Sequence, residues 1–370
     1  MLKEIKAYWY ELKTEYEKRY GEEILKDYDK SKEYLEKMRS YLLAKQEAFP
    51  SNVDIICTLA SVNLELRHGD EAYVELLENF LRDFDNTLDS KDKARIYTNI
   101  AFVEDYSQKA IEYLNKAKDL KSPFVETYKA LGLYNFSEYE YSRNLENLEL
   151  SREFFEIAKN LDESYESVLD YAVTLYELKH YEKAKETFLE LYITYPDRMW
   201  LKLCLAYCEV YLGNKHDALN YLDQIYLDSD DGYYLNTDDI ADFQIFDAYY
   251  VLEEYNNFLD YCTEDIDGDY YTVDCDYLFY VLWKEGELRR FAKLEENNRT
   301  YLREALKESL EDEYDSEEEK KETIESWEED LKEFNEMIRR IKAGEPRPEV
   351  RLKLYPEYSC FMVDCVRHKF

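Results

Sequence analysis

The segment YESVLDYAVTLYELKHYEKAKETFLELYITYP, residues 165–196, decides how the rest of this chain is interpreted. It is followed directly by MWLKLCLAYCEVYLGNKHDALNYLDQI, residues 199–225. A shift of 34 residues superposes small residues on small ones and large residues on large ones: Ala172 on Ala206, Ala184 on Ala218, Phe188 on Leu222 and Leu191 on Ile225. Each copy has the pattern of a helix, a short turn and a second helix. Self-similarity at a fixed period of this length indicates a repeat architecture.

These two units resemble the tetratricopeptide repeat (TPR). In that family's pattern, the first helix has a small residue near its start and an aromatic residue follows the turn. An alanine, an aromatic residue, a small residue and a closing proline come after it. The corresponding places are held here by Ala172, Tyr181, Ala184, Phe188, Leu191 and Pro196. Looser units precede them, so the resemblance covers about residues 50–225 and is strongest over 165–225. It implies an all-α, TPR-like α-solenoid of antiparallel helix pairs, each burying its apolar face on its neighbours.

Composition and pattern divide the chain into five predicted parts. They are N-terminal amphipathic helices over 1–50, TPR-like repeats over 51–225, an acidic, tyrosine-rich helical and loop region over 226–283, a long helical hairpin over 284–344, and a C-terminal tail over 345–370. Ser316 and Glu319 have capping-box spacing at the start of the last helix. In the tail, apolar residues alternate with charged ones around Leu352 and Leu354, which predicts a short β-hairpin.

The overall charge excludes some classes of partner. A net charge of −36 repels nucleic-acid phosphates and anionic membranes, and it favours cationic partners.

Glycine and proline are scarce, at 8 and 6 residues, which favours long helices over a sandwich or barrel. No apolar run approaches the length of a membrane span. The seven cysteines have no disulfide-framework spacing, so we expect reduced thiols and a cytoplasmic location.

Residues 216–283, here called the acidic segment, contain no lysine and no arginine but hold 18 Asp or Glu and 12 Tyr. An ordinary solvated helix face mixes both signs of charge, because opposite charges at i,i+4 stabilise a helix and like charges destabilise it. A docking surface for a basic partner fits the segment better than a solvated face does. We expect the contacts from Asp228, Asp230, Asp231, Asp238, Asp239, Asp265, Asp267, Asp269, Tyr233, Tyr234, Tyr270 and Tyr271. Core packing remains an alternative for each of these tyrosines.

Calcium, other metals and catalysis are each poorly supported. An EF-hand loop built on Gly232 or Gly268 would place Leu227 or Thr263 at the first ligand position, where Asp is normal. Cys204 and Cys208 share a helix face with no second pair of ligands. Cys360 and Cys365 would point to opposite faces of a strand, with a spacing that matches no common zinc site. No catalytic or nucleotide-binding motif is present, so we predict a non-enzymatic protein without a cofactor or metal.

The concave groove implied by the TPR resemblance offers a second surface. Some members of that family clamp an acidic peptide with Lys and Asn, then Lys and Arg, but only Lys129 matches here. Leu133, Asp170, Trp200 and Cys204 occupy the other places, so acidic-peptide capture is not expected. The predicted groove residues are apolar: Leu169, Val173, Tyr176, Trp200, Leu203 and Tyr207. They suit an apolar peptide or helix, or a further element of this same chain.

Three functions follow, in order of preference. The first is a solenoid that docks a basic protein through the acidic segment, as an immunity protein or antitoxin would neutralise a cationic toxin. The second is an adaptor or regulatory receptor that holds a peptide in the concave groove. The third is an enzyme that uses its acidic loops with a divalent metal. The sequence leaves self-association open.

Overall fold

The computed structural model describes residues 1–103, 107–225, 240–263, 276–312, 314 and 316–370. Within them the chain is all-α and contains no strand. The helices are α1 (Leu2–Tyr20), α2 (Tyr28–Ala48), α3 (Val53–Glu65), α4 (Asp70–Phe84), α5 (Ser90–Val103), α6 (Gln108–Asp119), α7 (Val125–Ser142), α8 (Leu145–Leu161), α9 (Tyr165–Glu177), α10 (Tyr181–Thr194), α11 (Met199–Tyr211), α12 (Lys215–Leu222), α13 (Asp242–Val251), α14 (Tyr255–Tyr261), α15 (Asp276–Lys284), α16 (Leu288–Glu311) and α17 (Glu317–Lys342). None of these helices has both the length and the apolar composition that crossing a membrane requires.

The chain forms two compact units. The first contains Met1–Thr187 together with Tyr355–Phe370, and the second contains Phe188–Leu354. Within each unit, helices that are consecutive in sequence pack against each other as antiparallel pairs, among them α3 with α4, α5 with α6, α7 with α8, and α11 with α12. This is the predicted TPR-like arrangement.

The small residues that defined the repeat lie where two helices approach closely. Ala172, Ala184, Ala206 and Ala218 are all fully buried. The large residues of the same pattern, including Phe188 and its counterpart Leu222, are fully buried as well. The 34-residue shift therefore predicted the buried positions of both copies correctly.

The closest helix contact that the structure shows at a glycine lies between α7 and α8. A Cβ added at Gly132 would lie 2.6 Å from Cε1 of Phe155, and Phe155 itself is fully buried. Ser151 Oγ also donates a hydrogen bond to the Gly132 carbonyl at 2.8 Å. A 34-residue shift from Phe188 leads to Phe154, so the buried aromatic of α8 lies one position away from the register of residues 165–225.

Local sequence signals fix two helix ends, and one of them, the predicted cap at Ser316, is thereby confirmed. Gly21 ends α1 with a φ of 71°, which is a left-handed conformation that glycine adopts without strain. At the start of α17, the Ser316 side chain accepts a hydrogen bond from the Glu319 backbone N–H. These local signals depend on residues a few positions apart, so the sequence alone carries them.

The predicted C-terminal β-hairpin is not found. Residues 345–370, all of them described, contain no strand, and residues 365–369 form a single helical turn. The alternating Leu352 and Leu354 are both buried, so the apolar pattern reflects burial of these side chains rather than pairing with a second strand. We call residues 345–370 the tail.

Candidate functional site

The twelve residues predicted to bind a basic partner lie outside the described residues. They are Asp228, Asp230, Asp231, Asp238, Asp239, Asp265, Asp267, Asp269, Tyr233, Tyr234, Tyr270 and Tyr271. The described parts of the acidic segment are 216–225, 240–263 and 276–283. The electrostatics of the segment can therefore be followed on its helices α12 to α15.

Several acidic side chains on these helices face solvent without a nearby cation. Asp217 and Asp223 on α12 and Asp260 on α14 are exposed. Within the described residues, no Lys, Arg or His side chain lies within salt-bridge distance of any of the three. Asp223 accepts only a long hydrogen bond, 3.4 Å, from the Tyr249 hydroxyl.

Two other acids of the segment are paired with cations from outside it. Glu253 lies 3.0 Å from the Arg347 guanidinium, and Glu254 lies 2.8 Å from Lys215 Nζ. These pairs are partly exposed and contribute little to stability. They do reduce the negative charge that this part of the surface presents.

Asp247 on α13 differs from its acidic neighbours because its carboxyl group is largely removed from water. Its Oδ1 atom is buried and has no hydrogen-bond partner among the described residues. Burial raises the pKa of Asp247 to about 6, although a hydrogen bond from Tyr277 acts in the opposite direction. The folded protein therefore binds a proton at Asp247 at a pH where the unfolded chain has lost it.

We expect Asp247→Asn to change how stability depends on pH. Between pH 3.8 and about 6 the native state holds more protons at this site than the unfolded state, so wild-type stability falls as the pH rises through that window. The variant should match the wild type near the lower limit and exceed it by about 3 kcal/mol at neutral pH. Chemical unfolding at a series of pH values measures the difference, with the exposed Asp260→Asn as the matched control. A difference that does not vary with pH would contradict this assignment.

The predicted groove residues are mostly interior. Leu169, Val173, Tyr176, Leu203 and Tyr207 are buried, and Trp200 is half-buried. In the second unit the Tyr207 hydroxyl donates a 2.6 Å hydrogen bond to the Gln244 carbonyl of α13. These side chains are therefore covered by other parts of the chain and do not line an open groove.

In the first unit, residues 355–370 of the tail cross the first helices of four successive pairs, α3, α5, α7 and α9. We call this surface the first-helix face. The tail's backbone N–H groups are satisfied by side chains of these helices rather than by a strand ladder. Glu357 N–H donates to Asp170 Oδ1 at 2.8 Å, Val363 N–H to Asn99 Oδ1 at 2.8 Å, and Val366 N–H to Ser61 Oγ at 3.0 Å.

Apolar tail residues complete the core of the first unit. Phe361 packs edge-on against Phe102, with ring centroids 5.2 Å apart, and Tyr355 packs against Phe136. Met362 and Val366 are each 1% exposed and belong to the hydrophobic core formed by α1 to α5. The tail thus resembles an extended peptide bound to a TPR surface, but it is supplied in cis.

A buried ion pair fixes the centre of this contact. The Asp364 carboxylate lies against the Arg95 guanidinium through both of its oxygens and also accepts a 2.8 Å hydrogen bond from Asn99 Nδ2. Arg95 makes a second ion pair, at 2.7 Å, with Asp54 on α3. Asp364 and Arg95 are only 3% and 8% exposed. A buried charge pair is tolerated only with such complete hydrogen bonding.

Asp170 on α9 is a second buried acid beneath the tail. It is fully buried, and its Oδ2 atom has no hydrogen-bond partner among the described residues. Burial raises the pKa of Asp170 well above its ordinary range, while the N–H that Glu357 donates acts in the opposite direction. The comparison with the TPR clamp placed Asp170 at a peptide-binding position of the groove. In the structure, the tail contacts Asp170 at that position.

In the second unit, residues 345–354 of the tail contact α11 and α13. The Tyr250 hydroxyl donates a 2.7 Å hydrogen bond to the Pro348 carbonyl, and the Arg347 guanidinium donates to the Tyr250 carbonyl. Leu352 N–H donates to the Tyr211 hydroxyl at 3.0 Å. As in the first unit, helix side chains satisfy the polar groups of an extended segment.

The structure also brings together Cys360, Cys365 and His368, although the two cysteines were expected to lie apart. Cys360 and Cys365 were expected on opposite faces of a strand, but no strand forms here, and the helical turn at 365–369 places Cys365 beside His368. The two sulfur atoms and a ring nitrogen of His368 all lie within 4.8 Å of one another. Cys204 and Cys208, in contrast, are fully buried, as a structural role requires.

The described helices define an all-α, TPR-like solenoid. Among solved structures, the chain is similar to yeast Tom70, at 15% identity and a TM-score of 0.40, over 85% of this chain and 62% of that one. It is also similar to a monomeric mutant of IFIT1 with m7Gppp-AAAA, at 16% identity and a TM-score of 0.30, over 79% of this chain and 62% of that one. The chain thus spans about 62% of the length of each. No protein-family model and no curated protein matches the sequence.

Proposed function

We propose that this chain is a non-enzymatic protein-binding solenoid that docks a basic partner protein through the acidic, tyrosine-rich region of residues 226–283. The observation that carries the proposal is the absence of every lysine and arginine from 216–283, a stretch with 18 Asp or Glu. Half of the net charge of −36 is thereby concentrated in less than a fifth of the chain.

Some exposed acids outside the acidic segment are paired with a cation on their own helix. Glu33 lies 2.9 Å from Lys37, and Glu156 lies 2.8 Å from Arg152, each as an i,i+4 pair on one helix. Asp217, Asp223 and Asp260 lack such a partner among the described residues. The acidic segment therefore keeps uncompensated charge at its described edges, which supports the view that it attracts a cation from outside.

This composition suits a docking surface for two physical reasons. Clustered carboxylates create a negative potential that steers a cationic protein toward the site and disfavours anionic competitors. Tyrosine supplies rigid contact area and a ring face on which an arginine side chain of the partner can stack.

Among basic partners, a cationic toxin fits this chemistry best. The chain would then be an immunity protein or antitoxin. Nucleases carry basic surfaces that bind phosphates, and a dense array of carboxylates presents the same sign of charge as a nucleic acid. The chain would then block its partner by occupying that surface.

We expect binding to the partner to weaken steeply with salt and with charge reversal in the acidic segment. The variant Asp230→Lys, Asp231→Lys, Asp265→Lys, Asp267→Lys should lose at least about tenfold in association rate, because steering of this kind changes on-rates by factors of 10 to 10³. The measurement is surface plasmon resonance at several salt concentrations against a protein recovered in a low-salt pull-down.

The matched control carries the same number of reversed charges on α17, outside the acidic segment. Glu322→Lys, Glu328→Lys, Glu329→Lys and Glu333→Lys all lie at exposed positions of α17. If both variants weaken binding equally, the net charge alone would explain the effect. Equal binding at low and high salt would contradict electrostatic docking altogether.

A second candidate, an adaptor that holds a peptide on its TPR-like surface, is favoured by the tail itself. The first-helix face binds an extended segment through Ser61, Asn99 and Asp170, so it has the chemistry to bind a peptide. An external peptide would have to displace residues 355–370. Such a partner should bind more tightly to a variant with a weakened tail, such as Asp364→Asn, and should be indifferent to charge reversal in the acidic segment.

A further inference from the structure

The tail carries a group of three metal-ligand side chains that plays no part in the proposed docking. The Cys360 sulfur, the Cys365 sulfur and a nitrogen of His368 lie within 4.8 Å of one another. The Cys365 sulfur is 3.3 Å from His368 Nδ1. The three atoms therefore converge on one point closely enough to share a single ion after small side-chain rotations.

Local backbone structure holds these ligands together. Lys369 N–H donates to the Cys365 carbonyl at 2.9 Å, closing a helical turn that places Cys365 and His368, three residues apart, on the same side. Cysteine binds a metal as its thiolate, so metal binding here would release the protons of the two thiols.

The group opens onto a cavity of about 370 Å³. Its wall includes the apolar side chains of Leu64, Phe102 and Met362, together with the ion pair between Glu65 and Arg367 at 2.6 Å. Cys365 is buried and Cys360 half-buried, while His368 lies at the exposed rim. A metal held here would have three protein ligands on one side and room for a fourth ligand on the cavity side.

We propose that Cys360, Cys365 and His368 form a binding site for a thiophilic metal ion, and that Zn²⁺ is the metal ion it prefers. Two thiolates and one imidazole are a donor set that suits Zn²⁺, which prefers tetrahedral coordination by sulfur and nitrogen. The fourth position is taken by water or a small ligand from the cavity. The other soft ion that this donor set accepts is Cu(I).

Metal binding at this site would be coupled to the packing of the tail on α5. The loop between the two cysteines contains Val363 and Asp364, whose contacts with Asn99 and Arg95 fix the tail to α5. A metal ion that binds only while the loop between Cys360 and Cys365 is packed on α5 stabilises that packed state. The stabilisation grows with the concentration of free metal relative to its Kd. Metal binding should therefore protect the tail amides from hydrogen exchange.

The test uses the full chain, reduced and stripped with a chelator, and Zn²⁺ in competition with a chromophoric chelator. We expect one Zn²⁺ per chain at the tight site. Substituted Co²⁺ should show the near-ultraviolet charge-transfer band of thiolate ligation. His368→Gln, at an exposed position that leaves the fold intact, should weaken Zn²⁺ binding about 100-fold, because changes even outside the ligand set cost about 10–100-fold. Cys365→Ser should abolish the thiolate band or strongly reduce it.

The controls are His68→Gln, another exposed histidine of the first unit, and Cys262→Ser, a buried cysteine of the second unit. Both should bind Zn²⁺ like the wild type. The proposal is overturned if the reduced chain binds no Zn²⁺ or Cu(I) tightly, or if His368→Gln and Cys365→Ser bind as well as the controls. Tighter binding of Cu(I) than Zn²⁺ through the same three residues would support the site and change the identity of its metal.

Discussion

Replacing Asp364 with alanine should destabilise the first unit by about 3–5 kcal/mol, which is the cost of leaving a buried charge without its partner. Asp364 is 3% exposed and contacts Arg95 and Asn99, which lie 269 and 265 residues earlier in the chain. Without it, Arg95 would keep one ion pair, with Asp54, and the rest of its guanidinium would be buried unpaired. The tail would lose its central contact at the same time.

The effect can be measured as the loss of hydrogen-exchange protection in α3 and α5, together with chemical unfolding. Glu36→Ala is the matched control, because Glu36 forms a partly exposed pair with Arg39 at 3.9 Å, and we expect no measurable change there. The double variant Arg95→Met, Asp364→Leu should be more stable than Asp364→Ala, since it leaves no fully buried charge unpaired. Asp54 loses Arg95 in that variant, but it is partly exposed and keeps the 2.9 Å hydrogen bond from the Leu2 N–H. Wild-type protection in Asp364→Ala would show that the tail does not depend on this ion pair.

The second large effect is the change in stability expected for Gly132→Ala. Its sign is opposite to that of most glycine-to-alanine changes in helices. A Gly→Ala change inside a helix normally stabilises a protein by roughly 1 kcal/mol. Here the new methyl group would lie 2.6–2.8 Å from three ring atoms of Phe155, whose side chain is fully buried. We expect Gly132→Ala to destabilise the protein by about 3 kcal/mol, at the upper end of the usual cost of overpacking.

A compensating change tests the cause of that effect. Phe155→Leu removes the ring that meets the new methyl group, so the double variant Gly132→Ala, Phe155→Leu should recover part of the stability that Gly132→Ala loses. The free energies of unfolding of the two single variants and the double variant form a cycle whose coupling term measures the clash. A neutral or stabilising Gly132→Ala would mean that α7 and α8 can separate without cost.

The helices were predictable because their signals are short-ranged. The buried alanines recur at fixed spacing in residues 165–225, and the cap at Ser316 depends on a residue three positions away. The site beneath the tail was not predictable in the same way. Its defining contact joins Arg95 to Asp364 across most of the chain, and neither residue has a local pattern that points to the other.

One signal in the sequence did point to a covered surface. The first helices carry polar side chains among apolar ones, including Ser61, Asn99 and Asp170, and buried polar groups require hydrogen-bond partners. Here those partners are backbone N–H groups of the tail. The β-hairpin and the separation of Cys360 from Cys365 were wrong for one shared reason: a short alternating run was taken as a strand, although the same alternation also arises when an extended segment packs on helices.

The position of the tail along the chain has a consequence for biosynthesis. Phe188–Leu354 must be translated before residues 355–370 can reach the first unit and complete its core. At about 5–20 residues per second, that leaves α3, α5 and α7 without their cover for roughly 10–30 s on the ribosome. During this interval the exposed apolar surface is a target for chaperones and a risk for aggregation, so folding of the first unit waits for the synthesis of the second.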